Sequence, residues 1–137
     1  LEEALSVQRE VYQQNLRRHG PADEGTLVDM SNIAISLMNL GRFEESARTL
    51  RNHVGPAQKS LGANHDLVLR LQQYLALSSA HAATSRKELT EALSSMQAVY
   101  ERRLRVFGAA HPHTKACQGD LATIERLVRE WVTRGMS

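Results

Sequence analysis

One spelling recurs along this chain, and its spacing constrains the fold more than any other feature. A small residue (Ala4, Ser46, Ala92) is followed 16 positions later by glycine (Gly20, Gly62, Gly108), and 14 positions after that by an apolar residue and alanine: Ile33-Ala34, Leu75-Ala76 and Leu121-Ala122. The period is 42 residues between the first two copies (20 to 62) and 46 between the next two (62 to 108), with four extra residues falling between Ala76 and Ala92. Periods of this size mark arrays of short helices in which each unit packs only on its neighbours. The chain therefore reads as an all-α superhelical solenoid of antiparallel helix pairs.

Composition fits such an array. The sequence is 42% hydrophobic but only 4% aromatic, so its core is expected to be a thin stripe of Leu, Ala and Val between helices rather than one globular centre. The net charge of +2 is too small to imply nucleic acid, and no apolar run approaches the roughly 18 residues of a membrane span. A single cysteine, Cys117, allows no internal disulfide and points to a reducing, cytoplasmic setting. The chain starts inside a helical pattern without an initiator Met, which reads as a piece of a longer protein.

Periodicity inside each unit predicts six helices, at roughly 1–19, 26–40, 43–61, 67–82, 86–107 and 113–134, in units of about 1–20, 21–62, 63–108 and 109–137. In the second helix Leu27, Met30, Ile33, Ala34, Leu37 and Leu40 recur at steps of three and four and form one face. Gly62 is expected to stop the third helix in the left-handed conformation. Ala34, Ala76 and Ala122 are expected where paired helices approach closest, because a larger side chain would push the axes apart. Pro56 falls inside the third helix, where it removes a backbone bond and crowds the preceding turn, so a kink or break is expected at Val54–Pro56. Ser85-Arg86-Lys87-Glu88 has the spelling of a capping box, so the four inserted residues are expected to lengthen the fifth helix by about one turn.

The strings Leu61-Gly62-Ala63-Asn64-His65 and Phe107-Gly108-Ala109-Ala110-His111-Pro112, each followed by Leu-Ala, resemble the tetratricopeptide repeats of kinesin light chains. Gly41-Arg42-Phe43-Glu44-Glu45-Ser46-Ala47 is similar to a turn of the same family. The first unit departs from it, with Asp23-Glu24 where His-Pro would fall, and the Asn that precedes Leu-Ala in the family is kept only as Asn32, with Tyr74 and Asp120 at the equivalent places. The resemblance implies a protein-interaction scaffold without catalysis of its own, whose first helix in each pair lines a concave groove that takes a partner peptide. It also implies that Asn32, Tyr74 and Asp120 form one row in that groove. Neighbouring positions on the same faces add Asp29, Ser36 and Asn39, then Arg70, Leu77, Ser78 and His81, and then Thr123 with Arg126 or Leu127. The mixture of charges favours a ligand with both a basic and an apolar group.

Other chemistry finds little support. His65, His111 and His113 recur at helix starts, where a side chain can cap exposed amides and Pro112 suits the first turn, so no metal site and no cofactor are expected. No nucleophile elbow, phosphate loop or zinc motif is present, and Cys117 reads as an inert thiol. Arg17, Lys59 and Arg105 lie 13 positions after the small residues, with Arg18, Arg102 and Arg103 nearby, and would line up as a basic ridge on the convex side. Two further classes stand beside peptide recognition: a structural, self-associating section of a longer solenoid, and a regulatory arm of an enzyme or NTPase. For self-association, the apolar residues of Leu1–Leu16 or Ile124–Trp131 would make the contact, with Trp131 as anchor.

Overall fold

The computed structural model describes residues 2–135; Leu1, Met136 and Ser137 lie outside the described residues. Six helices follow one another: α1 (Glu2–His19), α2 (Glu24–Asn39), α3 (Phe43–Leu61), α4 (Asp66–Ala82), α5 (Arg86–Phe107) and α6 (Pro112–Thr133). Each packs on the next in the chain. In addition α2 packs on α4 and α4 on α6, whereas among the described residues no comparable contact joins α1 to α3 or α3 to α5. The even helices thus form a close inner row and the odd ones a splayed outer row, which is how a helical array acquires curvature.

The helix ends repeat with the sequence. Asp23, His65 and His111 stand 42 and then 46 residues apart and each caps the helix that follows it. Asp23 Oδ2 accepts the Gly25 amide at 3.0 Å, His65 Nδ1 the Leu67 amide at 3.1 Å, and His111 Nδ1 the His113 amide at 3.0 Å. Aspartate and imidazole are interchangeable here because each places one acceptor against an otherwise unpaired amide of the first turn. At the other ends, Gly62 and Gly108 have φ of 95° and 87° with ψ of 156° and 161°. This is positive φ, but with extended ψ rather than the expected left-handed helical value, a combination open essentially to glycine alone.

Three apolar layers replace a single core. Leu5 of α1 meets Met30, Ile33 and Leu37 of α2; Leu27 and Ala34 meet Leu50 and Ala57 of α3 and Val68 and Leu71 of α4; Leu69 and Ala76 meet Leu89 and Met96 of α5 and Cys117 and Ile124 of α6. Ala34 and Ala76 are buried as the repeat predicts, and at the matching small position of α3 Ser46 hydrogen-bonds to Ser78 Oγ across the α3–α4 contact at 2.8 Å. Ala122 is exposed, because α6 packs only on α4 and α5 among the described residues and nothing covers its far side.

The four inserted residues enter the helices and leave the turn alone. Three residues, Leu40–Arg42 and Ala83–Ser85, link each inner helix to the next outer one, while α4 is one residue longer than α2 (17 against 16) and α5 three longer than α3 (22 against 19). Helix α5 starts at Arg86, and Ser85 Oγ accepts the Glu88 amide at 3.2 Å. The return half of the capping box differs from expectation: Glu88 Oε1 takes the amide and hydroxyl of Thr84, at 2.9 and 2.8 Å, one residue earlier than the Ser85 amide.

The break expected at Pro56 is absent, and α3 runs unbroken from Phe43 to Leu61. The residue before a proline is normally kept out of helical conformation by its own Cβ, and here that residue is Gly55. Leu50 and Ala57, both fully buried, hold the helix against its neighbours on either side of the proline. The backbone bond that Pro56 cannot donate is still lost, on an exposed face. Pro56→Ala is therefore expected to stabilise the protein by about 1–3 kcal/mol. Urea denaturation checks this: the midpoint should rise with an unchanged m value, and a fall would show that the proline relieves strain elsewhere.

Candidate functional site

The inner face is built from α2, α4 and α6, and its equivalent positions are Asn32, Tyr74 and Asp120. Asn32 is exposed, while Tyr74 and Asp120 are partly buried. Desolvation pushes the Tyr74 hydroxyl up from its ordinary pKa, opposed by the nearby Arg70 guanidinium, with Asp120 also within electrostatic reach. Burial likewise raises Asp120, against a hydrogen bond from Gln73 Nε2 at 2.7 Å and the proximity of His81. The His81 ring lies against Phe43 with centroids 4.4 Å apart, and desolvation together with the Arg126 charge lowers its pKa, against the pull of Asp120. Tyr74, Arg70, Asp120, His81 and Arg126 therefore form one electrostatic neighbourhood on α4 and α6.

The remaining residues expected in the groove lie elsewhere. Ser78 is fully buried against Ser46 and cannot meet a ligand, which corrects its assignment to the inner face. Ser36 is buried too and donates to Gln8 Oε1 of α1 at 2.7 Å. Asp29 accepts a hydrogen bond from Asn15 of α1. A single helical row at steps of three and four spans a wide arc, so its flanks turn into the neighbouring helix.

Beneath this face sits a polar cluster. Arg103, only 2% exposed, is the largest fully buried side chain, and it does not belong to the basic ridge proposed for it. Its Nε donates to Gln73 Oε1 at 3.1 Å and one of its terminal nitrogens to Asp66 Oδ1 at 2.8 Å. His113 Nδ1 meets the same Asp66 oxygen at 2.8 Å, and Arg70 pairs with the other at 3.0 Å. Through Gln73 the network ends on Asp120. The repeat register carried the signal for this: Arg103 is 46 positions beyond Ala57, which is itself fully buried. Arg17, Lys59 and Arg105 remain exposed on the outer helices as expected.

Cys117 is buried beside Met96, and desolvation pushes its thiol up to about 11, so no thiolate forms at neutral pH. Among the described residues no group of three or more His, Cys, Asp or Glu is placed to hold a metal, and no helix is long and apolar enough to cross a membrane. Residues 75–113, from the second half of α4 through α5, match the family model described as tetratricopeptide repeat. The match is compatible with the kinesin-light-chain-like variant of that repeat. No curated protein matches the chain. Repeats of this family generally hold other proteins and are generally non-catalytic.

Asp66 is the residue on which the polar cluster turns. Burial by itself would push its carboxyl up, but the hydrogen bonds and charges of Arg103 and His113 outweigh that and hold it down to about 2. A carboxyl lowered on folding stabilises the protein above its unfolded pKa near 3.8 and loses that contribution as the pH falls toward 2. Asp66→Ala, which leaves the Arg103 charge buried without its carboxylate, is expected to cost about 3 kcal/mol at pH 7. Urea denaturation at pH 7 and again near pH 2 should show the gap between the two proteins shrinking; a gap independent of pH would mean that the Asp66 charge contributes nothing.

Proposed function

We propose that this all-α chain with its tetratricopeptide repeat is a protein-interaction scaffold that takes an extended peptide of a partner on the face of α2, α4 and α6. The reading is supported above all by Tyr74, an aromatic residue at the centre of the inner row with Arg70 and Asp120 close enough to perturb its hydroxyl. An aromatic platform between a cation and a carboxylate suits a ligand that offers a basic and an apolar group together. Asp120, His81 and Arg70 serve as polar contacts on one side of Tyr74, and Asn32 extends the row onto α2. Ser36 and Ser78 take no part, being buried. The single cysteine, buried and unreactive, fits a cytoplasmic setting.

A second reading draws on Ala122. At the equivalent positions Ala34 and Ala76 are covered by the following outer helix, whereas Ala122 is open and Leu127, Val128 and Trp131 beside it are only partly buried. A second copy packing end to end would cover this surface. Ile124 and Leu5, which were candidates for such a contact, are buried within the array and drop out.

Titration of a peptide library against the chain and Tyr74→Ala separates the two readings. Peptide capture on the inner face should weaken by about 1–3 kcal/mol in the variant with helix content unchanged. Equal affinity, with capture abolished instead by substitutions of Arg17, Lys59 and Arg105, would move the site to the convex ridge. Light scattering serves for self-association, where a dimer at high concentration should be lost in Ala122→Arg and weakened in Trp131→Ala; a strict monomer at every concentration would exclude it.

A further inference from the structure

Two carboxylates belong to the polar network that runs from α4 to α6, and they are satisfied in opposite ways. Asp66 is met by two guanidiniums and an imidazole: Arg103 at 2.8 Å, Arg70 at 3.0 Å and His113 at 2.8 Å. Asp120 forms no ion pair among the described residues. Its hydrogen bond there comes from Gln73 Nε2, at 2.7 Å, and a carboxamide carries no charge.

The orientation of that carboxamide is settled by its two partners. Arg103 Nε can only donate, and it lies 3.1 Å from Gln73 Oε1, whereas an ionised carboxylate can only accept. Gln73 is therefore held one way round, its oxygen to the guanidinium and its nitrogen to Asp120. Both Gln73 and Arg103 are buried, so water does not compete for either bond. This relay passes a hydrogen bond to Asp120 but not a charge, because the Arg103 charge is already paired with Asp66. Burial raises the Asp120 carboxyl above its ordinary range, and the Gln73 bond and the proximity of His81 offset only part of that. His81 is itself lowered by desolvation and by Arg126. The titratable and charged groups around Asp120 are thus Tyr74 and His81 on α4, Cys117 on α6, and Arg103 of α5 behind Gln73. A carboxylate aimed from beneath and lacking a cation, beside an aromatic ring, is the chemistry that recognises an ammonium or guanidinium on a flexible apolar stem.

With the face of α2, α4 and α6 taken as the docking surface, on which reading this rests, we propose that Asp120 is the point at which it takes a lysine or arginine side chain of the partner segment, and that Gln73, held by Arg103, is the positioning residue that aims the carboxylate. The basic group supplies the ion pair that Asp120 lacks, and its aliphatic stem lies along Tyr74. The equivalent place on α2 is Asn32, which is neutral, so the basic residue of the segment is read at the α6 end of the row.

Two capped peptides serve as probes, Leu-Lys-Leu-Leu and the same peptide with its lysine acetylated, titrated into the isotopically labelled chain and followed by NMR of the amides and of the Asp120 carboxyl carbon. The expected result is shifts on α4 and α6 around Tyr74 and Asp120, at least tenfold tighter binding of the unmodified peptide, and a fall in the Asp120 titration midpoint when it is bound. Asp120→Asn keeps an acceptor for Gln73 without the charge and should erase the tenfold preference. Gln73→Leu should raise the Asp120 midpoint in the free protein and cut the preference threefold or more, whereas a role in packing alone would leave the midpoint where it is. Should Gln73→Leu fail to fold, Asp120→Asn with the acetylated peptide decides the matter. Weaker binding of both peptides to Tyr74→Ala, with no preference for the charged one in the unaltered chain, would overturn the Asp120 assignment and leave the inner face standing as the docking surface. Shifts on other helices would remove both. No binding of the lysine peptide at millimolar concentration, or an Asp120 midpoint that it does not move, would likewise overturn the proposal.

Discussion

A guanidinium cannot be neutralised to escape burial, so the Arg103 charge, at 2% exposure, dictates much of what surrounds it. It requires a carboxylate, supplied by Asp66 at the first turn of α4, and an acceptor for its remaining donors, supplied by Gln73 two turns later on the same helix. Those two contacts set the register of α5 on α4. Asp66 in turn draws in His113 from the start of α6, and Gln73 reaches Asp120 further along it, so the same cluster registers the last helix as well. Three helices that share only a thin apolar layer are thereby held at one relative height, a specification that leucine and alanine contacts alone leave looser.

The cluster also connects core to surface. Asp120 and Tyr74 stand at equivalent points of the repeat, yet they reach the inner face with restricted freedom, Asp120 tied to Gln73 and Tyr74 half-covered beside Arg70. A groove whose polar groups are fixed from beneath loses less side-chain entropy when it takes a ligand than one built on free surface residues. Asn32 has no such support, being exposed on a helix whose other inner-face polar residues, Asp29 and Ser36, are engaged by α1. The inner face is thus firmest at the α4 and α6 end.

Helix number, helix limits and the solenoid class were legible in the chain because glycine, cap and small residue recur at fixed offsets, and each has one physical job at its place. The exchange of Asp23 for histidine was visible but not its equivalence, which depends on acceptor geometry rather than residue type. Pro56 misled because its cost was weighed alone, without Gly55 before it and the buried Leu50 and Ala57 around it. Arg103 was misplaced for the opposite reason: its charge was read locally as solvated, although its register matched buried Ala57. Ser78 was lost from the groove because helical spacing defines an arc of about 100° and not the edge at which the neighbouring helix begins.

The gaps between neighbouring outer helices, α1–α3 and α3–α5, show what such an array can change without altering its fold. The backbone period places six positions of α1 and α3 opposite one another and the six matching positions of α3 and α5 likewise, so the helices are equivalent in both places. Three pairs, Glu2–Arg42, Arg9–Glu45 and Tyr12–His53, bridge the first gap. Side-chain length and sign differ at two of the three pairs in the second, where glutamates and valines take the matching places, whereas Arg51 and Glu91 repeat the types of Arg9 and Glu45 without forming an ion pair among the described residues. The inserted turn adds to this, since it extends α5 beyond the start of α3 and carries Glu88 to the mouth of the second gap, where Thr84 and Ser85 hold its carboxyl below the ordinary range.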